Sequence, residues 1–304
     1  MRQEQHPRTG GEGDDSFDWS CERYLSEGAM MPADGLDRIR RHDAVLLGAV
    51  GWPGVPDHVS LWGLLIPLRR GFRQYVNLRP VKVLDGVPSP LRNAGAGDVD
   101  LVVVRENVEG EYSEIGGRLG RGTEDELAVQ EAVFTRKGVV HTMPFWDELV
   151  EKVAQRHPGV RTEKEHIDAL AAKLVLAPER FDVIVGSNLF GDILSDLAAA
   201  VAGSIGVAPA ANLNPEREFP SMFEPVHGSA PDIAGQGKAN PLGALWSAAL
   251  MLDHLGHPEA SAELLAAAFG ALADGISTAD LGGTADTAAY TRAVLDRVTR
   301  PSGC

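Results

Sequence analysis

Phe181-Asp-Val-Ile-Val-Gly186 runs into Asn188-Leu-Phe-Gly-Asp192-Ile-Leu-Ser-Asp196-Leu, and the reading of this junction decides the fold. The first piece is short, apolar and β-branched, so it predicts a buried strand. The second takes helical spacing from about Gly191 to Ala202. Upstream, His166–Leu176 and Trp146–Gln155 also read as helices, and Asp98–Arg105 is a second apolar strand. Further back, Asp43–Val50 predicts a buried strand bounded by Gly51 and Pro53. Leu61–Gln74 is helical with a basic end at Arg69, Arg70 and Arg73, and Met30–Arg41 is a short helix behind Pro32. Glu124–Phe134 fits either a helix or an extended arm. Downstream, Pro241–His254 and Ala260–Asp274 are alanine-rich helices. Strands alternating with helices predict an α/β chain with a mostly parallel sheet. No strand leads into G-x-G-x-x-G, and Gly235-Gln-Gly237 follows no strand, so a Rossmann fold is excluded.

With 304 residues, the chain has room for two ordinary domains or one large one. Hydrophobic residues at 44% and charged residues at 23% place it in the globular class. The formal charge of −15 disfavours nucleic acid as a partner but leaves room for local basic clusters that bind small anions. Cys21 and Cys304 form no CxxC pattern, which agrees with a reducing cytoplasm. No apolar run reaches the roughly 18 residues of a membrane span, so no membrane association is expected. Residues 1–16 are polar and Gly-rich without an apolar signal region, and are expected to form a disordered leader.

Three constellations carry chemistry. Asp192 and Asp196 are four residues apart, which puts both carboxylates on one helix face. Like charges at that spacing repel unless a cation lies between them, and hard divalent ions favour such oxygen pairs. Both are flanked by apolar residues, which argues against a merely solvated face. A third carboxylate, Asp168, lies in His166-Ile-Asp-Ala-Leu170. The second group is Arg69, Arg79 in Val76-Asn-Leu-Arg-Pro80, and Arg105 at the end of an apolar strand. Guanidinium forks bind carboxylates bidentately, although any one arginine alone would read as a surface ion pair. Tyr112, seven residues beyond Arg105, is a candidate proton donor. The third is Phe223-Glu-Pro-Val-His227-Gly-Ser-Ala-Pro-Asp232, continuing to Asn240. Its small residues let backbone approach a ligand, while His227 offers a stacking surface and Asp232 a diol acceptor.

Together NLRP, VRENVEGEY, SNLFGDILSDL and FEPVHGSAPDIAGQGKANP resemble the isocitrate, isopropylmalate and tartrate dehydrogenase family, from about Phe17 to Val298. Phe17-Asp-Trp-Ser-Cys-Glu-Arg-Tyr24, Val50–Asp57, Ser60–Leu65 and Asn212-Leu-Asn-Pro-Glu216 are similar to its tartrate and D-malate branch. The resemblance implies a two-domain isopropylmalate-dehydrogenase-like fold, with residues 17–74 and 207–304 on the cofactor side and 75–206 carrying substrate, metal and dimer contacts. It implies a homodimer with shared active sites acting on a small dicarboxylate. Arg69, Arg79 and Arg105 match substrate-binding arginines, and Tyr112 the catalytic tyrosine. Asp192 and Asp196, with Asp168 supplied by the partner subunit, match the ligands of Mg²⁺ or Mn²⁺. His227, Gly228, Ser229, Ala230, Asp232 and Asn240 match the cofactor loop, with Asp232 favouring NAD over NADP. A K⁺ requirement stays open.

Two departures from the family pattern stand out. The opening strand with its Pro-Gly-Asp-Gly-like turn is replaced by the polar leader. Near Val139-Val-His141, roughly 30 residues that hold the family's proton-abstracting lysine are expected to be missing, about one helix and strand. Lys137 belongs to the segment before that gap and does not inherit the role. The resulting readings are an NAD-linked decarboxylating tartrate or D-malate dehydrogenase, a non-catalytic relative that binds a metal–dicarboxylate complex, and an isopropylmalate dehydrogenase.

Overall fold

The computed structural model describes residues 14–92, 94–110, 113, 115–130 and 142–299. In chain order the elements begin with helices α1 (Cys21–Glu27) and α2 (Gly35–Ile39) and strand β1 (Ala44–Leu46). Next come α3 (Asp57–Ser60), a π-helical turn over Leu61–Leu65, and α4 (Ile66–Gly71). The middle of the chain supplies β2 (Val76–Lys82), β3 (Asp100–Glu106), β4 (Gly116–Leu119), β5 (Leu127–Gln130), α5 (Thr142–Ala154) and α6 (Ile167–Leu176). Then follow β6 (Val183–Gly186), α7 (Asn188–Val201), β7 (Pro209–Leu213) and β8 (Ser221–Pro225). The chain closes with α8 (Leu242–His254), α9 (Pro258–Ala273) and α10 (Thr287–Val298).

Six strands form one sheet in the order β1-β8-β7-β2-β3-β6, and β4 pairs with β5 in a separate hairpin. The outer pairs, β1 with β8 and β3 with β6, are parallel. The three inner pairs, β8–β7, β7–β2 and β2–β3, are antiparallel. The α/β class agrees with the sequence reading, but the antiparallel middle of the sheet does not follow from it, because β2, β7 and β8 were not recognised as strands. The register brings Asn212 opposite Asn77, Asn77 opposite Arg105, and Arg105 opposite Gly186. Paired residues share a sheet face, so one row of positions crosses four strands, with side chains on three of them and Gly186 on the fourth, and Arg79 lies two residues along on the same side.

Helix α7 packs on that face. Its Leu194 and Ala198 join Val81, Val83, Leu101, Val103 and Ile184 in one buried cluster. A second cluster joins Cys21, Met30, Leu64, Leu68 and Phe72 to Met222 of β8. A third gathers Leu242 and Trp246 of α8, Leu272 of α9 and Tyr290 of α10. On the opposite face of the sheet, Val183 and Val185 are each 59% exposed.

Some expected elements shrink. Only Gly35–Ile39 of the Met30–Arg41 segment is helical. The strand expected over Asp43–Val50 is limited to Ala44–Leu46, at an edge of the sheet where Leu46 is 50% exposed rather than buried. Of Glu124–Phe134, Leu127–Gln130 forms β5, the extended alternative, and residues 131–134 lie outside the described residues. Helix α1 was not anticipated, although its caps follow ordinary chemistry. Ser20 accepts a hydrogen bond from Arg23 N, and Gly28 closes the helix at φ 79°.

Candidate active site

The strand-to-helix junction places Asp192 and Asp196 one turn apart on α7, above the ends of β2 and β3. Arg105 Nη1 pairs with Asp192 Oδ1, and Arg105 Nη2 donates to Asn188 Oδ1 at 2.6 Å. Arg79 Nη1 lies 3.1 Å from Asp192 Oδ1 and 3.2 Å from Asp196 Oδ1, and donates to Ser195 Oγ at 2.7 Å. Both arginines are buried, whereas the side chains of Asp192 and Asp196 are 39% and 51% exposed. Burial holds the Asp196 carboxyl above its ordinary range; Arg79 opposes this and the neighbouring Asp192 adds to it. The two carboxylates therefore open to solvent from a cationic floor.

Close approach at the junction depends on Gly191. A Cβ there would sit 2.8 Å from Arg105 Cβ and 3.2 Å from Arg105 Cα. Gly191→Ala is therefore expected to lift α7 from β3 and cost about 1–3 kcal/mol, typical of overpacking. Urea unfolding should show a lower midpoint with an unchanged slope. An unshifted midpoint would show that the α7–β3 contact yields freely.

Arg69, on α4, does not join this cluster directly. Its Nη2 donates to Glu224 Oε1 at 2.7 Å, and a buried chain of side chains leads onward. Asn212 Nδ2 donates to the same Glu224 oxygen at 2.8 Å, Asn77 Nδ2 donates to Asn212 Oδ1 at 2.9 Å, and Arg79 Nε donates to Asn77 Oδ1 at 2.8 Å. Asn77, Asn188, Ser195, Asn212 and Glu224 were missed as site residues. The available signal was a polar side chain inside an otherwise apolar strand or helix. Among the described residues, buried Arg69 Nε and Asn188 Nδ2 have no protein acceptor.

Asp168 is exposed in the first turn of α6, where its Oδ1 accepts from Ala169 N at 2.8 Å. It stands apart from Asp192 and Asp196, and no group of three His, Cys, Asp or Glu suited to a metal occurs among the described residues. Tyr112, Lys137 and His141 lie outside the described residues.

β8 and the loop after it are held against the segment that follows β1. Leu47 N donates to Phe223 O at 2.8 Å, and Ser229 Oγ donates to Gly51 O at 2.7 Å, so the loop lies beside the turn that follows β1. His227 Nδ1 is 2.9 Å from Gly228 O. Ala230 has φ 42°, a conformation that costs a non-glycine residue energy. Asp232 is exposed, and its backbone carbonyl accepts from Gln236 Nε2 at 2.7 Å. Asn240 is buried, with Oδ1 capping Leu242 N at 3.0 Å and Nδ2 donating to Asp280 at 3.1 Å.

The profile of the family described as isocitrate/isopropylmalate dehydrogenase matches residues 16–141 and 126–298. The chain belongs to that family. Within the isocitrate/isopropylmalate dehydrogenase family it is 51% identical to a probable tartrate dehydrogenase/decarboxylase of Bacillus subtilis, over 93% of this chain and 87% of the relative. It is 49% identical to the D-malate dehydrogenase [decarboxylating] of Escherichia coli, over 94% and 89%. It is also 49% identical to the tartrate dehydrogenase/decarboxylase of Pseudomonas putida, over 94% and 88%. The crystal structure of isocitrate dehydrogenase from Methylococcus capsulatus superposes with a TM-score of 0.83 at 31% identity, covering 92% of this chain and 89% of that one. By family, then, the protein is an enzyme of the decarboxylating dehydrogenase class. The family match comes as two pieces overlapping at 126–141. In the Bacillus comparison, 93% of 304 residues is about 283, against 311 aligned positions, so about 28 positions face no residue of this chain. Both observations agree with the internal gap expected near Val139-Val-His141. Among the described residues no helix is long and apolar enough to cross a membrane.

Proposed function

We propose that this site binds a small 2-hydroxy dicarboxylate, D-malate or tartrate, with a divalent cation and NAD, for oxidation at C2 and loss of CO₂. The observation that carries the reading is the convergence of Arg79 and Arg105 on Asp192 and Asp196. The carboxylate oxygens suit a hard ion such as Mg²⁺ or Mn²⁺, which keeps several positions for water and substrate. Asp192 and Asp196 would hold it, with Asp168 of a second subunit completing the set in a homodimer. The ion would lower the pKa of the substrate hydroxyl and polarise the oxidised carbonyl. NAD would take the C2 hydride. Arg69, Arg79 and Arg105 would orient the substrate carboxylates through their remaining donors. Tyr112 would protonate the carbon left after CO₂ departs.

The division into residues 17–74 with 207–304 and residues 75–206 belongs to the same proposal. It is supported by one core that lies within residues 81–202 and another that joins residues 21–72 to Met222, while a third core crosses the boundary by joining Leu84 and Val87 to residues 207–294. The decisive experiment is a single-turnover assay with enzyme in excess over D-malate, L-tartrate or 3-isopropylmalate, with NAD and Mn²⁺. NADH that accumulates with D-malate or tartrate and needs Mn²⁺ supports the reading. NADH with 3-isopropylmalate alone, or with none of the three, overturns it.

NAD is expected to bind at least about 10-fold more tightly than NADP, because a ribose 2′-phosphate beside the Asp232 carboxylate meets like charge. Fluorescence titration of both nucleotides checks this. Equal affinities would remove Asp232 from the ribose position.

A further inference from the structure

We infer that Asn212 is the positioning residue that sets two of the carboxylate-binding arginines at once. The inference rests on the proposed dicarboxylate reading for what the arginines hold, but not for how they are held. Asn212 lies on β7, inside the sheet, and is fully buried. All four of its hydrogen-bonding positions are used. Its Oδ1 accepts from Asn77 Nδ2 at 2.9 Å and from Asn107 Nδ2 at 2.8 Å. Its Nδ2 donates to Glu224 Oε1 at 2.8 Å and to Met222 O at 3.3 Å.

This saturation gives the amide one orientation. Flipped by 180°, its NH₂ would face two amide donors, and its carbonyl would face a carboxylate and a backbone carbonyl. A buried polar group left without a partner costs about 1–3 kcal/mol, so four mismatched contacts exclude the flip. The direction propagates both ways. Because Asn77 gives its Nδ2 to Asn212, its Oδ1 is turned to receive Arg79 Nε at 2.8 Å. Because Asn212 Nδ2 engages Glu224 Oε1, that oxygen is fixed where Arg69 Nη2 reaches it at 2.7 Å. Arg69 comes from α4 and Arg79 from β2, on different elements, yet each stands one side chain removed from the same amide. Their spacing is thus set by hydrogen-bond geometry inside the sheet rather than by contact between them.

The test is Asn212→Leu in the full chain, which removes both hydrogen-bonding arms and keeps the branched shape. Hydrogen exchange at the Arg79 Nε–H, read by ¹⁵N NMR, is expected to accelerate at least 10-fold. Backbone amides of β3 should keep their rates within about 3-fold, which a general loss of stability would not allow. Mn²⁺-dependent D-malate affinity, measured by calorimetry, should fall at least 10-fold, with NAD affinity unchanged. Should Asn212→Leu not fold, Asn212→Ser carries the same measurements, since its hydroxyl is too short to span both neighbours. Unchanged Arg79 Nε exchange overturns the inference, whatever the dicarboxylate does. Accelerated exchange in a protein whose wild type shows no Mn²⁺-dependent D-malate binding upholds the positioning role and defeats the dicarboxylate reading instead.

Discussion

Purified chain supplied with saturating D-malate or tartrate, NAD and Mn²⁺ is expected to turn over at no more than about 0.1 s⁻¹. Ordinary enzymes cluster near about 10 s⁻¹, and loss of a positioned general base costs about 10²–10⁴-fold. The base is the point at issue. The hydroxyl proton must leave as the hydride leaves, and coordination of the hydroxyl eases this without accepting the proton. Asp192 and Asp196 are engaged by Arg79 and Arg105 and are assigned to the cation. Tyr112 is assigned to the later protonation of carbon. The acceptor expected from the family resemblance is a lysine in the segment expected to be missing near Val139-Val-His141. The two pieces of the family match overlap at 126–141, and the roughly 28 unmatched positions against the Bacillus relative are close to the length expected for that gap. A steady-state NADH assay checks the rate. Turnover at about 1 s⁻¹ or faster would mean that a substitute base exists, and His141 would be the first residue to replace.

Asp192→Asn is expected to weaken Mn²⁺ binding in the presence of D-malate by at least about 100-fold. Loss of groups that merely support metal ligands already costs 10–100-fold, and this change removes a ligand's charge. Asparagine is the informative replacement because its Oδ1 still accepts from Arg105, so the junction keeps its shape. Even so, Arg105, with its side chain only 3% exposed, loses its paired negative charge. Breaking a fully buried pair costs about 3–5 kcal/mol. Asp192 is 39% exposed and solvent replaces part of that interaction, so a loss of about 1–2 kcal/mol is expected. Calorimetry separates the two effects, since the variant should remain folded yet give no heat where wild type saturates. Equal heats for both proteins would dismiss Asp192 as a ligand.

Much of this arrangement was legible in the residues, and the parts that were not have physical causes. Asp100–Glu106 and Val183–Gly186 declare themselves because uninterrupted β-branched runs have few alternatives. Val76–Lys82 hides because Asn77, Arg79 and Lys82 break the apolar pattern, and Pro80 argues against an interior strand. The structure accommodates that proline past the point where the β7 ladder stops, at Leu78. Pro209–Leu213 and Ser221–Pro225 are five residues each, too short for a period to show. Asp192 with Asp196, and Arg79 with Arg105, were legible as two separate groups because helix spacing and residue type are local signals, but that the two groups meet, without Arg69 or Asp168 in direct contact, shows only in the structure. The Asn77–Asn212–Glu224 chain was invisible because its members are 135 and 12 residues apart and meet only through strand register.

The pairing of β1 with β8 joins Ala44 to Ser221, and this has a consequence for how the protein is made. A ribosome adds about 5–20 residues per second, so β1 emerges roughly 10–35 s before its partner exists. Throughout that interval Leu64, Leu68 and Phe72, later sealed against Met222 of the same late strand, have no finished core to enter. Over that interval the nascent chain keeps this apolar surface uncovered, the condition under which folding chains aggregate. Truncation anywhere before β8 should yield an aggregating fragment rather than a folded half.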